Sequence, residues 1–432
     1  MVRFIHQGKQ AICCARGWRS RGTWRMGEGP TGLMTFGMPI EFVLFGATLI
    51  GVALFHHRTL FVALTGAGVI AAYKLAFTGF GEGVGFAGLG GHLLHEWVVL
   101  ANLALLLTGF AILSRHFEQS CLPDLAPDFL PDGWLGGLTL LVLVFIASGF
   151  LDNIASALIG ATIARHVYKG SVHIGFLAAI VAAANAGGAG SVVGDTTTTM
   201  MWIAGKSPLD VLHGYVGAVA CLAVFAVPAA IMQEKHQPIR KRDLGGFRIE
   251  WARLAIVFGI LAAAIAANVV INLFASHVSA LFPVIGIAVW VAILIAALWR
   301  KTDWSVLPEA SFGTLFLLAL VLCASFMPVK ALPLPSWQSA FGLGFISSVF
   351  DNIPLTALAL NQGGYDWGIL AYAIGFGGSM VWFGSSAGVA VSNLFPEAKS
   401  VTGWLRAAWW LPPAYVIGFF VALGLLGWRP PL

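Results

Sequence analysis

The sequence predicts an all-α polytopic membrane protein, on three observations. Hydrophobic residues make up 58% of the 432-residue chain, charged residues only 10%, and the mean hydropathy is +0.86; a soluble domain carries roughly a quarter charged residues. Apolar runs such as 36–55, 211–232, 254–275, 278–299 and 407–427 are each long enough to cross a hydrocarbon core of about 30 Å at about 1.5 Å per residue. The same polar interruption also occurs twice, as "SGFLDNIASAL" at 148–158 and "SSVFDNIPLTAL" at 347–358.

In chain order, the first three apolar elements lie near 36–55, 59–77 and 97–113. The fourth runs from 134 to about 164 and is interrupted at Ser148-Gly149 and Asp152-Asn153, because Asp and Asn favour helix caps over interiors. The fifth, 172–205, is broken by "NAGGAGSVVGDTTTT" at 185–199, and the sixth is 211–232. Beyond a polar loop at 233–253, elements seven to nine lie near 254–275, 278–299 and 312–329. The tenth, 337–360, breaks at Asp351-Asn352-Ile353-Pro354; the eleventh, 367–394, breaks at "GFGGSMVWFGSSAGV" (375–389); the twelfth is 407–427. "GGAGSVVGDTT" at 187–197 aligns without gaps on "GGSMVWFGSSA" at 377–387. Paired Gly-interrupted segments of this kind mark transporter repeats and their midplane sites.

Charge decides between two topologies. With loop 233–253 cytoplasmic, re-entrant hairpins at elements four and ten put 14 Lys and Arg inside, among them Arg58, Arg115, Arg165, Arg300, Lys301 and Arg406. Only Lys206, Lys330 and Arg429 fall outside, leaving aside Lys74 and the leader. If all twelve elements cross, the same residues divide 11 to 6. The positive-inside rule selects the hairpins. Each half then has five transmembrane helices and one hairpin, and the odd number of crossings inverts the two repeats, with unwound helices at the midplane. The expected organisation is a basic leader at 1–33, a first repeat at 34–232, a cytoplasmic basic loop at 233–253 and a second repeat at 254–432. The leader lacks an apolar signal-peptide core and is expected to be disordered or to precede a true start at Met26 or Met34.

Other classes are disfavoured. No soluble stretch interleaves a basic patch with aromatics, which argues against nucleic acid. The five cysteines have no metal-ligand or pairing spacing and read as reduced core residues. No stretch is long enough for a soluble enzyme domain. The 16 tryptophans suit interfacial belts against membrane lipids.

Ionisable residues within apolar elements are functional by default, since a charge at the bilayer centre costs several kcal/mol. Glu41 and Lys74 lie near enough to ends to snorkel. His92, His95 and Glu96, at the edge of the third element, are candidates for a proton relay or pH sensing. Asp152, Asp195 and Asp351 each lie at a break beside Asn, Gly or Thr. They could serve only as caps, but four symmetric breaks argue for more. Unwound carbonyls, carboxylates and hydroxyls make hard oxygen ligands. Asn153, Asn185, Asn352 and the Thr196–Thr199 run add oxygens, and Ser385 and Ser386 occupy the repeat positions of Asp195 and Thr196. No Lys or Arg falls at any break. That favours a cation, a proton, or the two competing for one carboxylate. The alternative is a Na⁺- or H⁺-coupled carrier of citrate-like or other anions. A non-transporting scaffold has no use for repeated polar breaks.

"SGFLDNIASAL", "NAGGAGSVVGDTTTTMMWI" (185–203) and "SSVFDNIPLTAL" with "GSSAGVAV" (384–391) resemble the NhaD-type sodium/proton antiporters of the ion transporter superfamily, which also holds ArsB-type and citrate/dicarboxylate carriers. The resemblance runs over most of 90–425. It implies Na⁺ (or Li⁺)/H⁺ antiport across a bacterial inner membrane, with no cofactor beyond the transported ions. It further implies a homodimer with elevator-like movement. By motif match, Asp152, Asn153, Asn185, Asp195, Thr197 and Thr198 would form the first-half ion site, and Asp351, Asn352 and Ser385 its second-half counterpart. Na⁺ would sit at Asp152, Asn153, Asp195 and Thr197. Two features differ from the family pattern. The helix before the first hairpin, "NLALLLTGFAIL" (102–113), has no acid, and Trp382 and Phe383 fill the second break.

Overall fold

The computed structural model describes residues 34–430, apart from 36–37, 56–57, 122–129, 240–248, 275–277 and 279–280. The basic leader and the centre of the basic loop, including Arg240, Lys241, Arg242 and Arg248, lie outside the described residues.

Beyond a two-residue strand pair (Met34–Thr35 with Met38–Pro39) the described chain is helical. The first half holds α1 (Ile40–Leu54), α2 (Thr59–Tyr73), α3 (Gly85–Glu118), α4 (Trp134–Ser148), α5 (Asn153–Val167), α6 (Ile174–Gly188), α7 (Thr196–Ile203), α8 (Pro208–Leu212) and α9 (Gly214–His236). The second holds α10 (Trp251–Phe274), α11 (Val284–Trp299), α12 (Leu307–Ser325), α13 (Trp337–Ser347), α14 (Asn352–Gln362), α15 (Trp367–Gly377), α16 (Ser386–Leu394), α17 (Val401–Ala407) and α18 (Leu411–Leu426).

By length and composition, four described stretches can cross a membrane: Thr59–Thr78, Gly85–Glu118, Pro208–His236 and Trp304–Ser325. A fifth, α17 with α18, is bent by 60°. Six more apolar helices are shorter. Three of these, α4, α6 and α15, end at the polar breaks; the 15 residues of α4 or α6 span only about 22 Å. The chain is thus a multi-pass membrane protein.

Three boundaries differ from the sequence reading. α3 starts at Gly85 and not near 97, so it carries His92, His95 and Glu96 within its first turns. Its glycine-rich start is poor helix former, but Gly88 packs on the Gly83 carbonyl, where a Cβ would sit 2.3 Å away. α2 runs on into a π-helical turn, Lys74–Thr78. The last element begins at Leu411, after the bend. Glu41 and Lys74 are also buried and do not snorkel.

Packing cuts across the two sequence halves. One apolar cluster joins α4–α9 to α13–α18. A second joins α1, α2, α3 and α12, reaching Met200, Ile353 and Ala357. A third joins α3, α10 and α11, reaching Leu151, Val193 and Trp202. Each half therefore gives its first three long helices to a flanking group and the rest to a central body. At the centre lie α6 and α15, in contact with each other. Every residue from Gly175 to Gly188 and from Trp367 to Gly377 is buried, as expected of helices apolar on all sides.

An ion-pair belt joins the C-terminal ends of α3 and α11 to the starts of α10 and α12. Arg115 binds Asp303 at 2.8 Å and Glu118 at 2.9 Å, and Glu250 binds Arg253 at 2.7 Å and Arg300 at 3.5 Å. Hydrogen bonds from Ser305 and Arg115 pull the Asp303 carboxyl down to about 2.

Candidate functional site

Four helices start at the breaks, and each is capped by the polar residue that broke the run. Asp152 accepts from Ile154 N at 3.2 Å and Asp351 from Ile353 N at 3.0 Å. Asp195 accepts from Thr197 N at 2.9 Å and Ser385 from Gly388 N at 3.2 Å. These caps satisfy orphan N–H groups and place each carboxylate at the positive end of a helix.

Glycines let the broken helices press against the hairpins. A Cβ on Gly187 would lie 2.0 Å from the Phe145 carbonyl oxygen, and one on Gly194 would lie 1.9 Å from that of Ser148. Their repeat counterparts behave alike: a Cβ on Gly377 would lie 2.1 Å from the Gly344 carbonyl oxygen, and one on Gly384 would lie 2.5 Å from that of Ser348. No side chain fits there, which is why both breaks are glycine-rich.

This packing assembles one buried polar chain from both halves. Asn153 Nδ2 donates to Asn185 Oδ1 at 3.0 Å. Asn185 Nδ2 donates to Ser379 Oγ at 2.9 Å and Ser385 Oγ at 3.1 Å. Asn352 Nδ2 reaches the two Asp195 oxygens at 3.4 and 3.5 Å, longer than a usual N–H···O bond of about 2.9 Å. Asp195 Oδ1 also accepts from Thr196 Oγ1 at 3.3 Å. Among the described residues, the hydrogen bond of Asp195 Oδ2 is the long one from Asn352. Beside this carboxylate the Thr197 hydroxyl is buried and makes no hydrogen bond of good geometry. Asn185, Thr197 and Ser385 are wholly inaccessible to solvent.

The remaining sequence candidates divide. Asp152 and Asp351 stand one residue before the asparagines and are half-buried, each on a separate cavity. Ser386 Oγ donates to Asp351 Oδ2 at 2.8 Å. Thr198 is turned to another use: its hydroxyl donates to the Ser191 and Asp195 carbonyls, as Thr199 does to Val192 and Asp195, and both hold the break together. His92, His95 and Glu96 lie apart. His92 Nε2 pairs with Ser325 Oγ at 2.9 Å and its ring packs on Phe326, while His95 lies 4.0 Å from Glu82.

Sequence reasoning missed Ser379 and Gly375. Gly375 holds the repeat position of Asn185, and a Cβ there would lie 3.3 Å from Asp195 Oδ2. The gap-free alignment of the two breaks covers Ser379 and, extended back by two residues, pairs Gly375 with Asn185. Among the described residues no three His, Cys, Asp or Glu gather as for a transition metal. An ion here would be held by carboxylate, amide, hydroxyl and carbonyl oxygens, the donor set of a hard cation.

Curated proteins are similar to this sequence over part of its length. Sodium/proton antiporter 1 of Arabidopsis thaliana is 28% identical over 295 residues, which are 58% of this chain and 49% of that protein. The chain thus spans about half the length of that relative. The Na(+)/H(+) antiporter NhaD of Alkalimonas amylolytica is 26% identical over 348 residues, 68% of each chain. That of Vibrio cholerae is 27% identical over 338 residues, 66% of this chain and 68% of that protein. No family model matches the chain. In its paired breaks and over most of its length, the chain is similar to the NhaD-type sodium/proton antiporters.

Proposed function

We propose that the protein is a secondary active transporter, not an enzyme, exchanging Na⁺ or Li⁺ for H⁺ across a bacterial inner membrane by alternating access. The observation that carries this is Asp195. One of its oxygens caps α7, the other is nearly free, and no Lys or Arg forms an ion pair with it among the described residues. A buried carboxylate so placed must be neutralised by a proton or a metal cation. The two compete for one oxygen, so binding either releases the other, and exchange follows when the site faces each side in turn.

In this reading the ion sits among Asp195 Oδ2, the Thr197 hydroxyl and the amide oxygens of Asn153 and Asn352, with Asp152 and Asp351 flanking it. Asn185, Ser385 and Ser379 hold the two breaks in register, and Thr196 and Ser386 orient Asp195 and Asp351. The matched glycine contacts support two inverted repeats, 34–232 and 254–432, each of five crossings and one re-entrant hairpin. The central body would move against the flanking helices, and the exposed apolar surface of those helices suits lipid and a second copy.

The convergence of four helix N-termini also suits an anion, which keeps a coupled carrier of citrate-like anions as the second reading. Reconstitution separates the two. Proteoliposomes holding a pH gradient should lose it on addition of Na⁺ or Li⁺ at some pH between about 6 and 9. A gradient that survives both ions across that range, with labelled citrate or succinate taken up, would replace antiport by anion transport.

A further inference from the structure

Two cavities flank α12 and meet at the same residues. The first, of about 370 Å³, lies between α3, α5 and α12 and is lined by Asp152, Ile154, Glu118, Glu309 and Gly313. The second, of about 330 Å³, is lined by Asp351, Ser386, Phe383, Thr59, Glu309 and Gly313. Each has a hairpin aspartate in its wall. Both share Glu309 in the first turn of α12 and Gly313 one turn later. A Cβ on Gly313 would meet nothing within 4 Å, so the helix leaves open space where a side chain would stand.

The acids around this space are not equivalent. Glu118 is ion-paired with Arg115 at 2.9 Å, which it shares with Asp303. Glu309 is exposed and has no ion pair among the described residues. It stands a few residues from Arg300 and Lys301, on the side the charge count places inside.

We propose that Glu309 and Gly313 form a shared cation vestibule, through which Asp152 and Asp351 both communicate with the cytoplasmic face. The uncompensated carboxylate raises the local concentration of monovalent cations, and the missing side chain at 313 leaves the two routes open. This rests on the antiport reading for its cargo but not for its geometry.

The test separates the two. In a full-length protein with its native cysteines replaced, Gly313→Cys is exposed to membrane-impermeant cationic and anionic thiosulfonates, applied to either face. Labelling is expected from the face bearing Arg300 and Lys301, faster with the cationic reagent. Adding Glu309→Gln should lower the cationic-to-anionic rate ratio about tenfold, and Glu309→Asp should restore it. Ala310→Cys and Val389→Cys report the first and second cavities singly, should Gly313→Cys fail to fold. A ratio indifferent to Glu309, or labelling from the other face only, overturns the vestibule. In proteoliposomes, Glu309→Gln should raise the Na⁺ concentration for half-maximal exchange several-fold and leave the maximal rate standing. If the parent protein shows no Na⁺ exchange but the labelling ratio follows Glu309, the vestibule stands and the antiport reading falls.

Discussion

The two Gly-rich breaks share a backbone and differ in chemistry. Both follow a fully buried helix, both press glycines onto hairpin carbonyls, and both end in a side-chain cap. In the first break the cap is Asp195, followed by four threonines; in the second it is Ser385, followed by Ser386. Where the first has Asn185 the second has Gly375, and where the first has Ala189 the second has Ser379. The replacements are complementary. Gly375 makes room for the Asp195 carboxylate, and Ser379 supplies an acceptor for Asn185. One half thus provides the charge, and the other provides space and neutral hydrogen bonds. Two carboxylates at these positions would repel in a buried pocket, and the asymmetry leaves one.

Five substitutions test this division, from the largest expected effect down. Asp195→Asn should reduce exchange to the background of empty liposomes. Asn caps a helix as well as Asp, so the detergent melting temperature should stay within a few degrees. Full activity in this variant would remove Asp195 from the site. Gly375→Ala comes next. Its new methyl would crowd Asp195 Oδ2 at 3.3 Å and should raise the half-maximal Na⁺ concentration roughly tenfold, equal to about 1.4 kcal/mol. An unchanged Na⁺ dependence would mean that this face of the carboxylate is not used.

Comparing Asp152→Asn with Asp351→Asn sharpens the contrast. Asp351 is held by Ser386 at 2.8 Å, while among the described residues no side chain hydrogen-bonds to Asp152. The first substitution should slow exchange more than the second; the reverse order would move the exchanged charge to the second half. Thr198→Val should act mainly on stability. Removing a hydroxyl that bonds the Ser191 and Asp195 carbonyls costs about 1 kcal/mol, seen as a lower melting temperature with Na⁺ dependence retained. A large shift in Na⁺ dependence would instead return Thr198 to the ion site.

The positions of the breaks were legible in the sequence because their cause is local. Asp, Asn and Gly inside an apolar run end a helix through their own caps and backbone freedom, and Asp152, Asp195, Asp351 and Ser385 each cap the helix that follows. The multi-pass character was equally legible, since it follows from composition and run length. The start of α3 was not. Its glycines argue against a helix there, and only packing on Gly83 and Glu82 overrides them.

The tertiary structure alone decided which polar groups meet. Asn352 touches Asp195 across 157 residues and Asn185 touches Ser385 across 200, separations over which no sequence period carries information. It also turned the Thr198 hydroxyl to the backbone, buried Glu41 and Lys74, and brought Glu309 between two cavities. Each outcome depends on which helix faces which, a property of the packed whole. The sequence by itself determined where the chain must break inside a membrane and which oxygens are present there, because capping and desolvation act on neighbours in the chain. Which of those oxygens meet a distant partner was decided by packing: Asn185 Oδ1, Ser379 Oγ and Ser385 Oγ are bonded across 32, 194 and 200 residues, separations that only the folded chain closes.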